Sequence, residues 1–158
     1  TLIISSMSLL VTLFMKMVNA ARLLMKELLP QFREGTCKSF PQIGPSSYYG
    51  GRKPEDGLIE WSKDAISIYN LIRAVTHPYP GAFTFLDGRK LFIWKVYPEE
   101  LPFNGSPGQI LSKKPFIVNT GRGVLRLLSV QFEGEEELDG EVFASTHTIE
   151  NKILGGIA

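Results

Sequence analysis

Cysteine and histidine are scarce in this 158-residue chain, which contains one cysteine and two histidines. Because Cys37 has no second cysteine to pair with, an internal disulfide is excluded, and a cysteine-rich zinc site lacks its ligands. The only imidazoles are those of His77 and His147. A single cysteine fits a reducing compartment, so we expect a cytoplasmic protein.

The chain also lacks a strong net charge, since 17 basic side chains oppose 16 acidic ones. Without a long-range field, nucleic acid and anionic membrane surfaces are disfavoured partners. A membrane-spanning run is missing too. Residues 2–15 are apolar but interrupted by serine and threonine, and Lys16, Arg22 and Lys26 follow before about twenty apolar residues accumulate.

Apolar residues make up 44% of the chain and charged residues 21%, which is ordinary for a globular protein. This length allows one substantial core, or a small core with an appended subdomain. Between residues 8 and 32, apolar side chains recur at spacings of three and four. This pattern predicts an amphipathic helix whose apolar face is broad enough to need a large partner surface.

Glycine and proline are concentrated in residues 34–58, which predicts a loop or linker with one short strand near residues 48–49. A second helix is expected next. Ser62 is its predicted N-cap, and Pro78 and Pro80 stop it.

After Gly81 the pattern changes to short extended segments separated by turn residues. Asp87-Gly88 supplies the positive backbone dihedrals of a tight hairpin turn between residues 82–86 and 90–97. Further strands are expected at residues 108–111, 115–119 and 123–132, and a short helix at residues 141–147. Five short strands favour a small antiparallel barrel, because closure removes exposed edges. The fold class is therefore α+β, with N-terminal helices and a linker followed by the barrel.

Two motifs carry a family resemblance. Residues 52–61 read RKPEDGLIEW, and residues 76–83 read THPYPGAF. They resemble the joint between the catalytic and C-terminal domains of folate-dependent formyltransferases, the family of methionyl-tRNA formyltransferase and the sugar-nucleotide N-formyltransferases. The resemblance is closest to the sugar-nucleotide branch, including the formyltransferase half of the bifunctional polymyxin-resistance enzyme. It implies that residues 1–80 are the end of a truncated α/β catalytic domain with its linker helix, and that residues 81–158 are a C-terminal domain like the oligonucleotide/oligosaccharide-binding (OB) barrel.

The resemblance also implies an activity, the transfer of a formyl group from 10-formyltetrahydrofolate to an amine, with a nucleotide-linked amino sugar as the expected acceptor. Such a transfer needs a base for the amine and donors for the oxyanion. The family places these groups in an N-terminal domain, beside a His-x-Ser-Leu-Leu-Pro motif that this sequence does not contain. We therefore expect a C-terminal fragment that lacks the catalytic residues, binds no folate by itself and has the N-terminal catalytic domain as its missing partner.

Five residues are candidates for the acceptor site: Tyr49, Arg52, Lys53, His77 and Tyr79. The Arg52 guanidinium is a planar fork of donors suited to phosphate. Relatives often carry two adjacent arginines here, and Gly51 stands where the first would be. An alternative of equal weight is that the segment around Arg52 is a solvent-exposed basic loop that binds no phosphate. His77 and Tyr79 lie in a proline-rich segment. Such a segment favours a rigid connection between helix and barrel over a role in the acceptor site.

The aromatic residues of the barrel segment allow two interpretations. Trp94, with Phe92, Tyr97 and Phe116, could form a stacking surface for a ligand. In a small barrel, however, most such side chains fill the interior.

Two other function classes remain open. The barrel could be the tRNA-binding C-terminal domain of a methionyl-tRNA formyltransferase, which would require a clear basic excess, whereas residues 133–137 contain four glutamates. The chain could also be a non-catalytic module that forms a homodimer through the apolar face of its N-terminal helix.

Overall fold

The computed structural model describes residues 9–51, 53–102 and 105–155. The chain forms two compact units, residues 1–52 and residues 53–158. The sequence predicted a different boundary, with residues 1–80 assigned to the catalytic domain and its linker helix. That assignment stays a prediction. None of the helices in the described ranges is long and apolar enough to cross a lipid bilayer.

The first unit is dominated by helix α1, Leu9–Glu34, which confirms the predicted amphipathic helix. It ends at Gly35, whose φ of 68° lies in the left-handed region that glycine adopts without strain. Large apolar side chains along α1 are exposed, Phe14 by 60% and Met17 by 61%. The described residues after α1 in this unit form no strand, so the strand expected near residues 48–49 was wrong. An extended segment becomes a β-strand only when its backbone forms hydrogen bonds with a neighbouring strand.

The second unit begins with a 3₁₀ turn, Pro54–Gly57, and combines an antiparallel sheet with two short helices. Its helices are α2 (Ala65–Val75) and α3 (Gly140–Thr146). Its strands are β1 (Ala82–Leu86), β2 (Arg89–Glu99), β3 (Ile110–Lys113), β4 (Phe116–Asn119), β5 (Val124–Phe132) and β6 (Leu138–Asp139). The order across the sheet is β1-β2-β5-β4-β3, and β6 pairs with β5. The predicted α+β class, the hairpin at Asp87-Gly88 and the terminal helix are confirmed.

Helix α2 begins later than the sequence suggested. Its N-cap is Asp64, whose carboxylate accepts hydrogen bonds from the Ser67 backbone N–H at 3.0 Å and from the Ser67 hydroxyl at 2.7 Å. Ser62 was therefore the wrong cap. Residues 61–63 stay outside the helix, because their carbonyls bond to a distant turn. The Gly121 N–H donates to the carbonyls of Trp61 and Lys63 at 2.8 and 2.9 Å.

The core of the second unit lies between α2 and one face of the sheet. Ile68 and Ile72 of α2 are almost completely buried against inward-facing strand residues such as Leu91 and Ile93. Trp61 is buried, and its indole N–H donates to the Thr84 hydroxyl at 2.9 Å. This bond satisfies both buried polar groups, which would otherwise carry a desolvation cost.

The sheet is not closed by direct pairing of its outer strands, because no pairing within the described residues joins β1 to β3. Instead, residues 152–155, which we call the closing strap, contact both sides. The Ile110 N–H donates to the Lys152 carbonyl at 3.2 Å, and the Leu154 N–H donates to the Gly108 carbonyl at 2.8 Å. At the other edge, the Gly155 N–H donates to the Phe85 carbonyl of β1 at 2.9 Å. The strap therefore satisfies polar backbone groups on both sides of the gap.

The closing strap can be tested with a matched pair of glycine substitutions. Gly108 and Gly134 both have φ of 82°, but a Cβ at Gly108 would lie 2.3 Å from the Leu154 carbonyl oxygen, whereas one at Gly134 meets nothing within 4 Å. We expect Gly108→Ala to lower the free energy of unfolding by about 2 kcal/mol more than Gly134→Ala, because only the first displaces the strap. Urea unfolding of both variants measures the difference, and equal losses would show that the strap contributes little.

Candidate functional site

The structure describes four of the five predicted acceptor-site residues. Tyr49 belongs to the first unit and is 88% exposed. Arg52 lies outside the described residues. Lys53 precedes the 3₁₀ turn with an exposed side chain, and its backbone N–H donates to the Asp56 carboxylate at 2.8 Å. His77 and Tyr79 lie together on the connection between α2 and β1, and among the described residues neither is hydrogen-bonded to the Lys53 side chain.

This connection, residues 76–81, is called the elbow here, and backbone and side-chain bonds fix it at both ends. The Thr76 hydroxyl donates to the Trp94 carbonyl at 2.9 Å, and the Gly81 N–H donates to the Val75 carbonyl at 2.9 Å. Gly81 has φ of 90°, and a Cβ there would lie 2.7 Å from atoms of the Trp94 ring. The elbow thus follows a path that only glycine permits next to the tryptophan.

A histidine cluster, formed by His77, Trp94 and Glu137, joins the elbow to the sheet. The His77 ring stacks on the Trp94 ring with centroids 3.8 Å apart and planes 15° from parallel. Its Nε2 atom lies 3.0 Å from an oxygen of Glu137, in the turn between β5 and β6. Trp94 in turn stacks on Phe92 at 5.5 Å. One imidazole therefore contacts two separate parts of the sheet.

Hydrogen bonds satisfy the polar groups around this cluster from within the protein. The Ser129 hydroxyl donates to the second oxygen of Glu137. The Trp94 indole N–H donates to the Gln131 side-chain oxygen at 2.8 Å, and the Gln131 amide donates to the Glu135 carbonyl at 2.6 Å. Partial burial raises the pKa of Glu137, but the bonds from Ser129 and His77 outweigh it and leave that pKa below its usual value.

Trp94 follows the inward-facing Ile93, so the alternation of the strand turns it away from the core cluster, although only 9% of it is exposed. The pairing of β2 with β5 shifts register between Ile93 and Lys95 and again between Lys95 and Val96. Ile93 and Val96 both point into the core, so two residues instead of one lie between consecutive inward positions. The sequence signal for Trp94 was its alternation with Leu91 and Ile93, which places it opposite the core, but nothing in the sequence identified His77 as its partner.

The four aromatic residues considered as a stacking surface do not form one. Phe116 is completely buried in the core, and Tyr97 is 55% exposed. Only Trp94 and Phe92 stack on each other. The interpretation as an interior residue is therefore confirmed for Phe116, and a role in ligand stacking stays a prediction for the others.

The acidic turn, residues 133–137, has basic partners that its sequence did not reveal. Glu133 lies 3.2 Å from the Lys90 ammonium, Glu135 pairs with Arg89, and Glu137 pairs with His77. The Lys90 ammonium also lies over two aromatic rings of the β1–β2 hairpin. The local negative charge is consequently smaller than four glutamates in five positions suggest.

Chemically, the cluster fixes an imidazole in place through a ring stack and a bond to a carboxylate. The His77 side chain is nevertheless 58% exposed. Within the described ranges, no three histidine, cysteine, aspartate or glutamate side chains come together as a possible metal site. The geometry therefore supports a positioning role for His77 better than a reactive one.

The bonds to Glu137 predict a measurable dependence of stability on pH. Because the native pKa is lowered, the stabilisation is present above the unfolded value of about 4.3 and is lost as pH falls through the native pKa. Glu137→Gln should reduce the loss of stability between about pH 6 and 3 by about 0.5 kcal/mol, the size expected for a screened surface pair. Urea unfolding across this range measures it.

Glu136→Gln is the matched control, since the Glu136 side chain forms no hydrogen bond or ion pair with the described residues. It removes the same charge from the same turn. An identical pH profile for the two variants would show that the bonds to Glu137 contribute nothing specific.

Comparison with known proteins adds a family and a fold. Residues 52–148 match the family described as formyl transferase, C-terminal domain. A variant of HypX from Aquifex aeolicus is similar in structure, with a TM-score of 0.55 and 20% identity over 77% of this chain. HypX in complex with tetrahydrofolic acid gives 0.54 and 21% identity over 75% of this chain. In both comparisons the match covers 22% of the HypX chain, so this chain spans about a fifth of that length.

Proposed function

The chain belongs to the formyl transferase C-terminal domain family, and from this premise we propose that it is the C-terminal part of a folate-dependent formyltransferase. The parent enzyme moves a formyl group from 10-formyltetrahydrofolate to an amine, and the acceptor we propose is a nucleotide-linked amino sugar. The family match over residues 52–148 carries this proposal, because it includes the 3₁₀ turn, α2, the elbow and all six strands. The bound tetrahydrofolic acid of HypX is in keeping with it.

The described residues of this chain do not fit the folate donor. The inner face of the sheet is filled by apolar side chains, and the polar groups of the histidine cluster are bonded to one another. We therefore assign folate binding and the transfer step to the N-terminal catalytic domain of the parent. The role left for this chain is to support that domain and to border the acceptor site.

Helix α1 is the proposed contact with the catalytic domain. Its exposed apolar side chains, which include Leu13, Leu24 and Phe32, would be unusual on the free surface of a finished protein. In the parent, this face packs on the catalytic domain, which we place in the cytoplasm. A homodimer through the same face would then result from truncation.

The second unit is proposed to be an OB-type barrel. The antiparallel sheet and the closing strap support this, because the strap bonds to β1, to Ile110 of β3 and to Gly108 just before it. Such a barrel in the tRNA-specific branch would need a basic surface. Residues 53–158 contain 11 lysines and arginines against 14 aspartates and glutamates, a net charge of −3, which favours the sugar-nucleotide branch.

The division of labour can be tested by assaying the 158-residue chain beside its full-length parent. With 10-formyltetrahydrofolate and a nucleotide-linked amino sugar, the parent should transfer the formyl group, and the isolated chain should be at least about a hundredfold slower because it lacks the oxyanion donors and base. Turnover by the isolated chain at the parental rate would refute the assignment. A parent without formyl transfer would refute the function, and tight tRNA binding at physiological salt would favour the tRNA branch.

Arg52 and Lys53 are the proposed contacts to acceptor phosphate, and Tyr49, His77 and Tyr79 are further predicted contacts. In the parent, Lys53→Ala should raise KM for the nucleotide sugar about tenfold with little change in kcat, because a charged hydrogen bond to substrate is lost. Lys63→Ala is the control, since Lys63 is exposed and pairs with Glu60 at 3.2 Å. Equal KM values in both variants would remove Lys53 from the site.

A further inference from the structure

We propose that Asp56 is a positioning residue of the acceptor site. It fixes the backbone of Lys53, and so the point from which the lysine ammonium reaches the acceptor phosphate. This inference rests on the proposed function, in which Lys53 contacts that phosphate. Asp56 itself does not touch the acceptor and acts through the lysine.

Both polar backbone groups of Lys53 are bonded to Asp56. The Lys53 N–H donates to the Asp56 carboxylate at 2.8 Å, and the Asp56 N–H donates to the Lys53 carbonyl at 3.1 Å. The lysine backbone is extended, with φ of −112° and ψ of 157°, and Pro54, whose ring locks its own φ, follows directly. A single aspartate therefore holds the lysine backbone on both sides, while the lysine side chain is exposed.

The 3₁₀ turn that contains Asp56 is seated on the elbow. Gly57 is buried at the end of the turn, and a Cβ there would lie 2.5 Å from the Gly81 carbonyl oxygen. Two residues further on, the Ile59 N–H donates to the Phe83 carbonyl at 2.8 Å. The elbow carries two further predicted contacts of the acceptor site. The turn thus places the lysine in the same rigid frame as those contacts.

A lysine needs such a fixed starting point more than most side chains. Its ammonium is a point charge on a flexible four-carbon stem, so its position is defined only as well as the backbone that bears the stem. A backbone that is ordered before the ligand arrives lowers the cost of ordering on binding. Release of the Lys53 backbone should therefore weaken the contact with phosphate.

The charge of Asp56 allows this role to be separated from a simple electrostatic one. Removal of a negative charge close to a bound anion should strengthen binding, whereas release of the Lys53 backbone should weaken it. The two interpretations predict opposite changes in KM. Glu55 supplies the control, because it is exposed in the same turn and its side chain forms no hydrogen bond or ion pair with the residues that the structure describes.

Steady-state kinetics of the parent enzyme test the proposal. Asp56→Ala should raise KM for the nucleotide-linked amino sugar about threefold with little change in kcat, since about one hydrogen bond of binding energy is lost. Asp56→Asn keeps an acceptor oxygen for the Lys53 N–H and should restore most of the affinity. Glu55→Ala removes the same charge and should leave KM unchanged or lower it. A KM for Asp56→Ala at or below the wild-type value would overturn the proposal.

The double variant shows whether Asp56 acts through the lysine. In the Lys53→Ala background, Asp56→Ala should change KM no further, because the group that it positions is already gone. Additive increases would mean that Asp56 acts independently, against the proposal.

Hydrogen exchange separates failure of this inference from failure of the proposed function. On the 158-residue chain, Asp56→Ala should speed exchange of the Lys53 amide about two- to tenfold, and Glu55→Ala should not. Faster exchange combined with formyl transfer at unchanged KM would eliminate the positioning role and leave the proposed function intact. A parent that transfers no formyl group would instead refute the proposed function, and this inference with it.

Discussion

The stack of His77 on Trp94 joins the elbow of the second unit to its sheet. Because Trp94 follows the inward-facing Ile93, its indole lies outside the core cluster, on the other face of the strand. There it provides the surface on which His77 stacks, and Gly81 passes too close to its ring for any side chain. The bulge after Ile93 returns Val96 to the core side, so β2 contributes inward side chains both before and after the tryptophan.

Elements encoded by local patterns were predictable from the sequence. Helix α1 follows from apolar spacing, the β1–β2 hairpin from Asp87-Gly88, and α3 from a short run after the acidic turn. Each of these depends on residues that are neighbours along the chain. The N-cap of α2 was misplaced by two residues, since its choice depends on the distant Gly121, which holds the carbonyls of Trp61 and Lys63 outside the helix.

Contacts between distant segments could not be predicted in the same way. The closing strap meets β1 about seventy residues away in sequence, through backbone bonds that leave no side-chain pattern except glycine at positions 108 and 155. Two ion pairs join the acidic turn to the β1–β2 hairpin, and the contact of Glu137 with His77 joins it to the elbow. His77 was identified as a candidate from its motif, but its partners Trp94 and Glu137 became apparent only from the three-dimensional arrangement.

The two units differ in how completely they bury their apolar side chains, and this difference bears on function. In the second unit, helix and sheet bury a shared core, and its edges and turns are largely bonded internally. In the first, α1 exposes an apolar face that no group of its own unit covers among the described residues. Burying apolar surface contributes about 25 cal/mol of stabilising free energy for each Å² removed from water. A partner surface that covered this face would therefore stabilise the first unit. The second unit thus buries its own apolar groups, whereas the helix of the first leaves its apolar face exposed.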